Sequence, residues 1–139
     1  MTSRVANCGP LVAILIAFAW GCERTPLSPG DEILGSWGGE GFGLEVSADS
    51  ASAVFTCAYG RLETPIVLGF DRRFSTQGDY VREVGPAALR NPARYEGRVR
   101  GSAIELTLVV TDTIGLAGTY TLGPFAGTRG GVPKVYYCQ

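Results

Sequence analysis

Arg94–Thr111, RYEGRVRGSAIELTLVVT, is the stretch whose reading decides the fold. Tyr95, Gly97 and Val99 alternate with Arg94, Glu96, Arg98 and Arg100. After Gly101-Ser102, Ile104, Leu106, Leu108 and Val110 alternate with Glu105, Thr107, Val109 and Thr111. Successive side chains of a strand point to opposite faces, so a period of two marks a strand with one buried and one wetted side. A Gly-Ser pair between two such runs predicts a tight antiparallel hairpin.

The same pattern extends in both directions. Downstream, Asp112-Thr113 reverses the chain, and Leu116, Gly118, Tyr120 and Leu122 are expected to face inward. Gly123–Gly131 reads as a loop before a last strand over Val132–Cys138. Upstream, Phe42, Leu44, Val46 and Ala48 share one face before a turn at Asp49-Ser50, and Ala53, Phe55, Cys57 and Tyr59 share the next, ending at Gly60. Ile66, Leu68 and Phe70 form a further inward set closed by Asp71-Arg72, and Gln77-Gly78-Asp79 predicts a hairpin into Tyr80–Glu83. Gly85–Asn91, with Pro86 inside it and Pro92 after it, reads as the longest irregular connection. No window after residue 22 carries a helical stripe. Strands spaced by turns every 8–12 residues predict an all-β fold. The expectation is a single antiparallel up-and-down barrel of about eight strands over residues 33–139, since closure removes exposed edges.

The N-terminus is of another kind. Leu11–Trp20 is uninterrupted by charge, follows Arg4 and ends at Gly21-Cys22. A basic start, a short apolar core and a small residue at the cut is the layout of an export signal, and ten apolar residues are too few to span a bilayer. Ala19-Trp20-Gly21-Cys22 resembles the lipobox of bacterial lipoproteins. The resemblance implies a signal peptide over residues 1–21, removed on export, and a lipid-modified Cys22 as the mature N-terminus. Glu23 follows the cysteine, which in that family implies an outer-membrane anchor facing the periplasm. Residues 22–32, with Pro26, Pro29 and Gly30, read as a flexible tether.

Arg4 is the only charge before Cys22, so the remainder carries 11 basic and 13 acidic residues. That balance offers no field for nucleic acid. Of the four cysteines, Cys8 falls in the signal and Cys22 is the lipid site. Cys57 and Cys138 remain; in an oxidising compartment a disulfide is expected, with two buried free thiols as the alternative.

Gly35-Ser36-Trp37 at the start of the first strand resembles the Gly-x-Trp of lipocalins and other calycin barrels, whose tryptophan plugs the closed end. The resemblance implies a compact calycin-like barrel that holds a small apolar or amphipathic ligand. Trp37, Phe55, Phe70, Tyr95 and Tyr120 are then its candidate lining residues. A second resemblance, carried by Phe55–Gly60, Ala93–Tyr95 and Cys138-Gln139, is to periplasmic lysozyme inhibitors. It implies a protein partner in the cell envelope, met through Tyr95 and the Gly85–Pro92 loop. A purely structural envelope protein is the third expectation.

Catalysis is not expected. The chain has no histidine, and no serine sits in a nucleophile elbow. Glu96 and Glu105, on wetted faces beside Arg94, Arg98 and Arg100, read as a cross-strand charge lattice. No metal or other cofactor is expected.

Overall fold

The computed structural model describes residues 31–115 and 118–138. The proposed signal, Cys22 and most of the tether lie outside those residues, as does Leu116. A 3-10 turn, Asp31–Ile33, leads into β1 (Gly35–Gly39), β2 (Phe42–Val46), β3 (Ala51–Phe55), β4 (Ala58–Leu62), β5 (Arg73–Val84), β6 (Ala87–Arg100), β7 (Ala103–Asp112) and β8 (Gly118–Arg129). Each strand pairs antiparallel with the next, and β8 pairs with β1, closing an eight-stranded barrel.

The β6–β7 hairpin is as expected: Tyr95, Val99, Ile104, Leu106, Leu108 and Val110 are buried and their alternates face out. Elsewhere the strand count holds while several boundaries move. Cys57 adopts φ 58°, which ends one strand and restarts the next, so Ala58 rather than Tyr59 points inward. Gln77-Gly78-Asp79 is not a turn; β5 runs straight through it and pairs with β6 along its whole length. Gly85–Asn91 is not irregular either. The reversal needs only Gly85-Pro86, with Gly85 at φ 56°, and β6 begins at Ala87. Ile66–Phe70 forms no strand, because β4 already pairs with β5 and leaves no edge for it. Ile66 and Leu68 fold into the core from the β4–β5 loop, whereas Phe70 stands fully exposed at 105%, which corrects its expected inward place. Gly123–Gly131 is mostly strand, and it brings Phe125 against the core.

Val132–Cys138 is not a barrel strand. It is an outer strap, bridged to the wall in parallel at Glu40–Lys134, held again where Cys57 N–H donates to the Tyr136 carbonyl at 2.9 Å, and ending in the Cys57–Cys138 disulfide, with Cα atoms 4.9 Å apart. The strap crosses Gly38 and Gly43, which are register partners on the outer wall. A methyl group on Gly43 would strike the Pro133 ring, so glycine there is what lets the strap lie flat.

The two ends of the barrel differ. The 3-10 turn, the β2–β3 turn and the β4–β5 loop gather at one end, with Thr64 Oγ1 donating to the Asp49 carbonyl at 3.0 Å. Trp37 plugs this end: it is buried and its Nε1–H donates to the Ile33 carbonyl at 2.8 Å. The Arg129 guanidinium lies 4.3 Å over the indole and donates to the Leu34 and Glu32 carbonyls. The opposite end carries the β3–β4, β5–β6 and β7–β8 turns and the disulfide.

Candidate functional site

The expected interior site rests on five aromatic rings, of which the structure brings only Phe55 and Tyr95 into contact, joined by Tyr80, Phe125 and Phe42. Phe55 contacts Tyr80, Tyr95 and Phe125 at centroid distances of 5.8, 6.5 and 5.4 Å, and Phe125 continues to Phe42 at 5.7 Å. At these separations rings pack on each other rather than line a void. Trp37 lies at the closed end, Tyr120 is half-buried beside the core, and Phe70 is outside altogether.

Phe55 is the hub of this cluster; Tyr95, which touches Phe55 alone among these rings, has no exposed surface. Its hydroxyl donates to the Asp79 main-chain carbonyl at 2.6 Å. The β4–β5 ladder opens at this level, and the Arg61 N–H turns instead to the Asp79 carboxylate at 2.8 Å. Arg90 reaches the same carboxylate from outside. Gly60 leaves room for the phenol, since a side chain there would overlap its oxygen. Burial, then the nearby Asp79 and Tyr80, hold the Tyr95 phenol well above its ordinary range; burial and Tyr120 raise Tyr80, against Arg82. A residue so enclosed cannot meet a protein partner, and the loop expected to accompany it is strand. Of the contacts implied by the lysozyme-inhibitor resemblance, Tyr95 is therefore not presented, while Gly85–Arg90 form the largely exposed tip of the β5–β6 hairpin.

Asn91 is the one buried polar side chain among the described residues, and its Oδ1 accepts from Thr113 N–H at 3.0 Å. It closes the β7–β8 loop onto the wall. No cluster of metal-binding side chains occurs among the described residues.

A marked concavity lies outside the barrel. It is a groove of about 550 Å³ between the β4–β5 loop and the outer wall of β5, β6 and β7. Val67 and Asp71 overhang it; Arg73, Ser75, Glu96, Arg98, Glu105 and Thr107 face it. Arg98 stands opposite Arg73 on one side and Glu105 on the other. Glu96 is paired with Arg94 at 2.7 Å, and Asp71 sits 3.8 Å from Arg73. The Arg98 Nε is buried with no hydrogen-bond partner among the described residues.

No family model, curated protein or solved structure matches the chain. The groove was invisible in the sequence, where its polar residues read as a solvated lattice. The concavity comes from the Glu63–Arg72 loop folding back over them, driven by burial of Ile66 and Leu68.

Proposed function

We propose that this protein is an exported lipoprotein, held at the outer membrane through Cys22, whose barrel is a non-catalytic binding domain for a small amphipathic ligand. The ligand is taken in the outer groove rather than in the barrel interior. The observation that carries this reading is the position of free space: the interior is crossed by stacked rings, while the outer groove has the volume of a ligand pocket. Val67 offers an apolar contact, and Arg98, Glu105, Ser75 and Thr107 offer charges and hydroxyls within one concavity. The lack of histidine supports the absence of catalysis.

The test is a titration of the ¹⁵N-labelled domain with octanoate, octylamine and octyl glucoside. At least one probe is expected to give saturable shifts at the amides of Ser75, Glu96, Arg98 and Thr107, and Thr107→Trp should abolish them. Shifts centred on Phe55 and Tyr95 would return the ligand to the interior, and no saturable shift would end the reading.

A second reading has its own observation. Tyr136 and Tyr137 are largely exposed although the disulfide at Cys138 pins their backbone. Fixed, exposed tyrosines suit a protein contact. Retention of an envelope protein by the wild-type domain and not by a Tyr136→Ser/Tyr137→Ser variant would favour it.

A further inference from the structure

We propose that the closed end of the barrel rests on the membrane surface and that Phe70 inserts into the headgroup layer. This rests on the lipid anchoring proposed above. Among the described residues nothing covers the Phe70 ring, yet its backbone is firmly held. Gly69 N–H donates to the Arg73 carbonyl at 2.8 Å, Arg72 N–H to the Gly69 carbonyl at 2.9 Å, and Val99 N–H to the Arg72 carbonyl at 2.9 Å. Ile66 and Leu68, buried just before it, fix the loop to the core. A rigid turn that holds out an uncovered phenylalanine, with Val67 also largely exposed on the same loop, is shaped for an apolar surface.

The course of the chain says which surface. Glu32, at the entry to the domain, pairs with Arg72, two residues from Phe70. The tether therefore joins the barrel against this loop. Eight residues, 23–30, separate Cys22 from Asp31, a length whose coil dimension is about 16 Å. An anchored Cys22 would keep the loop within one barrel diameter of the bilayer. One phenylalanine binds a membrane only weakly from solution, but a short tether raises its effective concentration to the millimolar range. Glu63, Asp71, Arg72 and Arg73 balance in charge, so the contact is apolar in origin and not set by lipid charge. Arg72 and Arg73, two and three residues past the insertion point, can lay their stems along the interface while their guanidinium groups stay hydrated.

The experiment uses the mature chain, residues 22–139, coupled through the Cys22 thiol to a maleimide lipid in phosphatidylethanolamine–phosphatidylglycerol vesicles. Phe70→Trp and Tyr137→Trp place reporters at opposite ends of the barrel, and the Trp37 signal of the parent is subtracted. Phe70→Trp is expected to shift to the blue on coupling and to lose most of its emission to brominated lipid, while Tyr137→Trp does neither. The result should persist in vesicles of phosphatidylcholine alone. Equal behaviour of the two reporters would overturn the orientation. The mass of the native protein decides the anchor separately: an unmodified Cys22 overturns the anchoring on which the proposal stands.

Discussion

Replacing Tyr95 by phenylalanine tests the centre of the barrel. The substitution removes one oxygen and leaves every ring contact in place. Its cost lies in the Asp79 carbonyl, which accepts the phenol at 2.6 Å where the β4–β5 ladder is open. A buried acceptor left without its partner costs about 1–3 kcal/mol. At about 4 °C per kcal/mol for a domain of this size, the melting temperature should fall by about 4–12 °C. The pH dependence adds an independent check. The folded phenol titrates far above its ordinary range, chiefly through burial. Above pH ~10 the unfolded chain releases this proton while the folded chain keeps it, so stability falls as pH rises, by up to about 1.4 kcal/mol per pH unit for each such group. Tyr95→Phe lacks that contribution and retains only the similar one from Tyr80. Urea unfolding at pH 7.5 and at steps above pH 10 should show the wild-type advantage shrinking with pH. Equal stabilities at pH 7.5, or parallel curves above pH 10, would refute the reasoning.

Three further outcomes are expected. Replacing Cys57 and Cys138 together by serine removes a link across 81 residues of sequence. Chain entropy puts the loss at about 4.5 kcal/mol, measurable by urea unfolding against the oxidised parent. Gly43→Ala should destabilise by about 1–3 kcal/mol through overlap with Pro133, and Pro133→Gly in the same chain should recover part of the loss in a double-mutant cycle. Arg129→Gln removes the cation from the Trp37 face and weakens the link to the Leu34 and Glu32 carbonyls. It should cost about 1–2 kcal/mol and move Trp37 emission to the red.

What the sequence made legible follows a single physical rule. Where one face of a strand is buried and the other wet, as in Arg94–Thr111, alternation reports the fold directly. Where a single residue resets the phase, as Cys57 does with its positive φ, a long apolar run hides two strands and a turn. Pro86 and Pro92 suggested a loop, yet one serves the reversal and the other sits opposite Asp79, whose carbonyl is taken by Tyr95. Ile66 and Leu68 do face inward, but their rhythm does not extend to Phe70, because the wall has no vacant edge for a strand there. The interior residues Phe55 and Tyr95 were therefore foreseeable. The groove was not, because it is made by a loop covering residues that each look solvated alone.

The seam between β8 and β1 is narrow: three residue pairs, Trp37–Arg129, Gly38–Thr128 and Gly39–Gly127, join the ends of the sheet. Such a join is where a cylinder would begin to unroll. The strap leaves β8 just past this seam, runs across the outside of β1 and β2, and is fastened beyond them at Cys57. It works as a clasp, so that parting the two sheet margins also requires peeling away a segment whose far end is covalently fixed. Reduction should accordingly speed opening of the β1–β8 margin ahead of the β5–β6–β7 wall, and amide exchange at Gly38 and Gly127 would register it.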